Sequence, residues 1–440
     1  MTTAPGGVSP VMAAALTTRT PLLWLNPARE PGRAETAGSA EFAEAADRLA
    51  RAANLLATLF PELREARGVI DSPLLAATRL QGALGLPAAS GKLFIKADHL
   101  LGVAGSVKAR GGFHEVLAHA ERLAIDAGLM QPGADLAVLA SPQARALFAQ
   151  RSIAVGSTGN LGMSIGILAA ALGFRAVVHM SSDAKAWKKQ ALRQRGALVI
   201  EHDGDYAQAV AAGREESRQD VNSYFVDDEN SSLLLAGYAA CAPLLAAQLG
   251  AAGRLPSQDK PLLVYLPCGV GGAPGGIALG LAGLFGPHVH CFFAEPVASP
   301  CMLLQMAVGP EQDVSVYDYG LDNKTAADGL AVPRASALVA SRIERVLSGV
   351  FTVTDEQLLS GLLRAYECEQ LEIEPSAAAG FPGPSWITSS DAGREYIERF
   401  DLGERLADAT HLLWTTGGSL VPREDHRKFR EQAIQLENAA

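Results

Sequence analysis

Apolar residues along the 440-residue chain follow two alternating patterns. Short apolar runs bounded by glycine or polar residues read as strands, and segments with an apolar residue every three or four positions read as helices. Strands are predicted at 92–96 (KLFIK), Ile153–Val155, Ala176–His179, Leu198–Ile200, Tyr224–Val226, Leu262–Leu266, Val289–Ala294 and Leu412–Trp414. Helices are predicted at Ala184–Arg195, Tyr206–Arg218, Leu233–Leu249 and Gln357–Cys368, and at Glu41–Leu63, where Phe42, Leu49, Leu56 and Leu59 fall near one face. This alternation predicts an α/β protein with mostly parallel sheet flanked by helices. Residues 1–35 carry Pro, Gly and Thr without a period and are expected to form an irregular arm.

Two uncharged stretches, Ile153–Phe174 and Pro261–Pro287, are each longer than the roughly 18 apolar residues that suggest a membrane span. Each divides instead into a strand, a glycine loop and a helix. Pro267 and Pro274 would interrupt a spanning helix, and strands of a parallel sheet lack charge because both of their faces are buried. No membrane segment is expected. No basic residue precedes Arg19, which argues against a secretory signal.

Composition narrows the function classes. With 48% hydrophobic and 19% charged residues the chain can bury a large core, which excludes disorder over most of its length. A net charge of −10 without a dense Lys/Arg cluster excludes a nucleic-acid footprint. The five cysteines are odd in number and form no CxxC, so neither a disulfide framework nor a zinc site is indicated, and a cytoplasmic location is expected.

The 44 glycines concentrate where chemistry is expected. Gly269, Gly271, Gly272, Gly275 and Gly276 follow a strand and precede a helix. Such a loop is either a tight turn or an anion site, in which backbone N–H groups converge at a helix N-terminus. It lacks the Gly-Lys-Ser/Thr of a nucleotide-triphosphate loop and suits a phosphate monoester. Upstream, Lys108 sits in GSVKARGG, read as a loop after a strand. It is either a surface lysine or a desolvated amine able to form a Schiff base. A phosphate monoester and an aldehyde together describe pyridoxal 5′-phosphate (PLP).

Two further loops fit that cofactor. In Gly-Ser-Thr-Gly-Asn, Ser157 and Thr158 are either helix caps or, with Gly159 and Asn160, donors for a substrate carboxylate and a phenolic oxygen. Thr415 and Thr416, after the last strand, offer a neutral hydroxyl that would leave a pyridine nitrogen unprotonated and favour elimination.

These segments, with DDENS (227–231), SPCMLL (299–304), TAADGLAV (325–332) and EPSAAAG (374–380), resemble the fold-type-II PLP enzymes, the tryptophan synthase β-like group, and within it the D-serine dehydratase family. The resemblance covers most of the chain after about residue 70. It implies a two-domain fold with the active site in the interdomain cleft: a large PLP-binding domain of 71–112 and 225–440, a small inserted domain of 113–224, and residues 1–70 as an arm and helix on the large domain. It implies β-elimination of D-serine to pyruvate and ammonia by a monomer. The alternatives are an L-serine/threonine or D-threonine dehydratase, or a PLP-binding protein without catalysis.

Lys108 is then the Schiff-base lysine and the base for the α-proton. Gly269, Val270, Gly271 and Gly272 hold the phosphate, Asn160 the ring oxygen, and Thr416 faces the pyridine nitrogen. Ser157, Thr158 and Gly159 lie by the substrate, with Thr158 assisting the leaving hydroxyl. Asp228 is placed near the substrate, with a loop or capping carboxylate as the alternative. Glu295 is a candidate ligand for a monovalent cation (K+ or Na+), with a structural carboxylate as the alternative. Ser419 departs from the family's glycine in the last loop.

Overall fold

In the computed structural model, which describes residues 8–33, 39–157, 159–182, 184–203 and 206–439, eleven strands occur among the described residues. In chain order they are β1 (Leu23–Leu25), β2 (Leu74–Ala76), β3 (Lys92–Lys96), β4 (Ser152–Gly156), β5 (Arg175–Ser181), β6 (Leu198–His202), β7 (Ser223–Val226), β8 (Leu262–Pro267), β9 (Val289–Pro296), β10 (Leu347–Val353) and β11 (Thr410–Trp414). The chain divides into two compact units, one of 1–39, 72–100 and 242–440, the other of 40–71 and 101–241.

The larger unit holds a seven-stranded sheet ordered β1-β10-β9-β8-β11-β3-β2. Its five inner strands are parallel, and the short β1 and β2 close the edges antiparallel. Every residue of β8, β9, β10 and β11 is buried, as expected of a parallel sheet covered on both faces. Polar side chains within it are paired: Tyr265 Oη and His411 Nδ1 lie 2.7 Å apart, and Lys96 Nζ donates to Gln248 Oε1 at 2.9 Å and to the Ser72 carbonyl.

The smaller unit holds a four-stranded parallel sheet, β6-β5-β4-β7. Beside it a helix of 19 residues, Lys108–Asp126, is buried along most of its length. It meets the helix Ser232–Ala239 backbone to backbone. A Cβ on Gly237 would lie 2.9 Å from the Gly111 Cα and 2.6 Å from the His114 Cβ, and one on Gly111 would lie 2.5 Å from the Tyr238 ring. A Cβ on Gly112 would lie 2.3 Å from Ser164 Oγ, on the helix Asn160–Leu172. These glycines are contact surfaces between helices rather than hinges.

Several expectations are corrected. Lys108 begins a helix and is not in a loop; the glycines that suggested a loop are the ones that let its helix pack. Residues 1–35 are not wholly irregular: the helix Pro10–Thr18, capped by Ser9, precedes β1, which pairs with β10. Strand β10 itself was not predicted, because Ser348, Gly349 and Thr352 dilute its apolar run. The long helices expected at 41–63 and 233–249 are each broken, into Ser39–Arg51 and Ala53–Leu59 and into Ser232–Ala239 and Ala242–Ala251. The run Ser232–Ala251 is long and apolar enough to cross a membrane by composition, yet its break falls where one unit ends and the other begins.

The units are also drawn differently from the expected domain limits. Residues 40–71 group with the smaller unit, because the buried Glu121 accepts from Arg48 Nε at 2.7 Å and from Arg51 Nη1 at 2.6 Å. Residues 101–112 follow the Lys108 helix into that same unit. Replacing Gly237 by Ala is expected to cost about 1–3 kcal/mol, since backbone on the facing helix cannot yield easily. Gly283→Ala, where a Cβ meets nothing within 4 Å, should be neutral or mildly stabilising; equal thermal midpoints for the two variants would refute the close crossing.

Candidate active site

In the smaller unit, Lys108 is the first residue of its helix and follows Val107, which supplies no side-chain cap. Its Nζ lies 3.8 Å from Asp228 Oδ2 and 5.8 Å from the centre of the Tyr238 ring. Its side chain is 23% exposed and that of Asp228 10%, so the pair is reachable but largely shielded. Asp228 lies between β7 and the helix Ser232–Ala239 and caps nothing; the cap is Ser231, whose Oγ accepts from the Leu234 amide at 3.0 Å. On the segments that carry or face the amine, three buried polar atoms have no hydrogen-bond partner among the described residues: Asp228 Oδ1, Tyr238 Oη and Ser106 Oγ. Unmatched buried oxygens are costly, and three of them on elements that carry or face one lysine describe a site shaped for a polar ligand.

The loop after β4 lies in the same unit. Ser157 Oγ accepts from the Gly159 amide at 3.2 Å, and Gly159 occupies the N-cap of the helix Asn160–Leu172 without a side-chain cap bond. A Cβ on Gly159 would meet no protein atom within 4 Å, so packing does not explain this glycine. Asn160 opens the helix. Thr158 lies outside the described residues.

In the larger unit, the loops after β8 and β11 leave the carboxyl ends of two neighbouring parallel strands, the usual ligand side of an open parallel sheet. Gly271 has φ +112° and is the N-cap of the helix Gly272–Phe285; a Cβ there would lie 2.2 Å from Met302 Cε. Cys268 and Cys301 both donate to the Gly269 carbonyl, at 3.4 and 3.3 Å, and the Ser336 amide donates to the Val270 carbonyl at 2.9 Å. The carbonyls are thus tied back. The amides of Gly269, Val270, Gly271 and Gly272 donate to no protein acceptor among the described residues. Four free N–H groups at a helix N-terminus form an anion cradle. Thr416 follows β11, half-buried, and its hydroxyl makes no hydrogen bond with a described residue. Ser419 is exposed, and its amide donates to the His99 carbonyl.

Glu295, the candidate cation ligand, caps a helix instead. Its Oε1 and Oε2 accept from the amides of Met302 and Leu303, each at 2.8 Å, and Cys301 Sγ donates to it. Among the described residues no group of three or more His, Cys, Asp or Glu is placed to hold a metal ion. Burial outweighs the two amide donors and pushes the Glu295 carboxyl up to about 8.

Three site features had no counterpart in the sequence reading. Glu115, two turns beyond Lys108, is a buried carboxylate. Tyr238 packs beneath the lysine amine. His99 shares Nδ1 with Thr415 Oγ1 at 2.7 Å and leaves Nε2 buried without a partner, and burial lowers it to about 4, so the ring is neutral at pH 7. No local signal marked any of the three, since Glu115 shares its helical face with Lys108, His119 and Arg122.

A family model described as "Pyridoxal-phosphate dependent enzyme" matches residues 66–391. The chain belongs to the pyridoxal-phosphate dependent enzymes. A relative from Burkholderia lata described as "Probable D-serine dehydratase" is 58% identical over 98% of this chain and 96% of its own length. One from Cupriavidus pinatubonensis with the same description is 57% identical, with the same coverage. Among solved structures, diaminopropionate ammonia lyase from Escherichia coli in complex with D-serine is 18% identical with a TM-score of 0.71, covering 94% of this chain and 97% of that one. At that identity the likeness shows the fold, that of a fold-type-II PLP enzyme. The residues present fit the family's cofactor: an anion cradle of unfilled amides suits its phosphate, and a shielded primary amine suits its aldehyde.

The raised Glu295 carboxyl gives a test. The fold keeps a proton that the unfolded chain releases above about pH 4.5, so Glu295 withdraws stability as pH rises from about 4.5 to about 8. Relative to Glu295→Gln, the wild type should therefore lose unfolding free energy across that window and level off above it. A pH-independent difference would show that the carboxyl is not raised.

Proposed function

We propose that this protein is a PLP-dependent D-serine dehydratase, which converts D-serine to pyruvate and ammonia. Relatives of that description, matched at up to 58% identity over nearly the whole chain, support the reaction. The observation that carries it into the site is the Lys108–Asp228 pair, 3.8 Å apart, with the second Asp228 oxygen buried and unmatched.

Lys108 Nζ would hold the cofactor's aldehyde, and the amides of Gly269, Val270, Gly271 and Gly272 its phosphate. Asn160 would bond the ring oxygen and Thr416 the pyridine nitrogen. When bound, PLP supplies the electron sink that stabilises negative charge at a substrate's α-carbon. Lys108 Nζ, once free, takes the α-proton at that atom. Asp228 Oδ2 lies 3.8 Å from this amine and orients it, while Oδ1 accepts a hydrogen bond from the substrate hydroxyl. Ser157 and Gly159 bind the substrate carboxylate, and Thr158 assists departure of the β-hydroxyl. The lost water and the water that later releases ammonia cancel, so the net products of serine are pyruvate and ammonia. Thr416 would present a neutral hydroxyl to the pyridine nitrogen, a partner that would suit elimination better than transamination. We further propose a cytosolic monomer with D-serine as its small-molecule substrate; five cysteines, none of them in a disulfide, support the reducing setting.

Keto-acid formation from D-serine, L-serine and D-threonine tests the assignment. D-serine should be deaminated fastest, and faster turnover of L-serine would contradict it. No keto acid from any hydroxyamino acid would instead favour a PLP-binding protein without catalysis. Lys108→Ala should lower kcat by at least the roughly 10²–10⁴-fold that a positioned acid–base group contributes.

A further inference from the structure

Glu115 is 2% exposed and sits two turns beyond Lys108 on the same helix. One carboxylate oxygen accepts from Tyr224 Oη at 2.8 Å, on β7, and the other accepts from Ser231 Oγ. Tyr224 lies within β7, two residues before the strand ends at Val226, and Ser231 is the last residue of the connection that carries Asp227, Asp228 and Glu229. Ser231 is also the cap of the helix Ser232–Ala239, which bears Tyr238 and crosses the lysine helix at Gly111 and Gly237.

We propose that Glu115 is a positioning residue that clamps the strand leading into the Asp228 segment to the cap residue that closes it, and so fixes Asp228 against Lys108 for the dehydratase reaction. The inference rests on the proposed function for the reaction it serves and on Glu115's own contacts for its mechanism. Both oxygens of a buried carboxylate need a donor, and here the two donors come from different elements. Glu115 spans two elements whose connection presents the unmatched Asp228 Oδ1, and its helix presents the lysine. The neighbouring charges support the same reading. Asp227 and Asp228 face the Glu115 carboxyl, Arg214 pairs with Asp227 and Glu229 at 3.0 and 3.3 Å, and the rest of the segment is thereby tied down around Asp228. Burial and these aspartates push Glu115 up to about 7.

The test is a double-mutant cycle on the PLP-loaded protein. Glu115→Ala should lower kcat/KM for D-serine on the order of 10- to 100-fold, the scale of a misplaced reacting group, with bound PLP content unchanged. Glu115→Gln, which can accept from one hydroxyl and donate to the other, should restore activity to within about threefold. In an Asp228→Ala background, Glu115→Ala should add less than about twofold, because the two residues act as a unit. Should Glu115→Ala not fold, Tyr224→Phe and Ser231→Ala each release one end; each should lower kcat/KM partly, and both effects should vanish in the Asp228→Ala background. Equal losses with and without Asp228, or wild-type turnover by Asp228→Ala or Glu115→Ala, would overturn the clamp. Wild-type turnover decides the substrate separately: where another hydroxyamino acid is preferred, the same cycle is read on it, and the substrate assignment alone fails. Absence of any turnover would overturn both.

Discussion

Two helices of the smaller unit touch through glycine, and the placement of Lys108 depends on that contact. With no Cβ on Gly111 or Gly237, the helices Lys108–Asp126 and Ser232–Ala239 close to backbone distance. The approach brings the Tyr238 ring under the amine and sets Asp228, on the segment entering the second helix, within 3.8 Å of it. Any side chain at the crossing would separate the amine from its acidic partner. The stability sacrificed by glycine in a helix, about 1 kcal/mol each, is thus exchanged for geometry at the reacting group.

The larger unit uses glycine differently. At Gly271 the backbone is left-handed and crowded by Met302, and the effect is to turn carbonyls toward Cys268, Cys301 and Ser336 while leaving four amides unfilled. Helix packing and anion binding place the same demand on the residue, absence of a Cβ, for unrelated reasons. Glu295 belongs to the same support: by capping the helix Cys301–Val308 it holds the thiol of Cys301 where it can reach the Gly269 carbonyl.

Much of this was legible in the chain. KLFIK is β3 residue for residue, and the strand–loop–helix reading of both uncharged stretches matches β4 and β8 with their following helices. Lys108 and the glycine loop were singled out by residue type and spacing, and Asp228 by the family resemblance of DDENS. What was not legible depends on tertiary contact. GSVKARGG has the composition of a loop, and only the facing Gly237 and Ser164 explain why it is a helix. Strand β10 is buried by its neighbours in spite of its serine, glycine and threonine. Glu115 looks like a solvated helical charge until Tyr224 and Ser231 are seen to close over it. For Glu295 the sequence left a cation ligand and a structural carboxylate open, and the partners that support the structural reading are amides seven and eight residues on.

The central claim is that Lys108 is the amine that binds the cofactor. Borohydride reduction of the PLP-loaded protein followed by peptide mass spectrometry measures it directly. The account predicts a single pyridoxyl group on the peptide containing Lys108, and none in Lys108→Ala. Labelling of another lysine in the wild type, or of none, would contradict it.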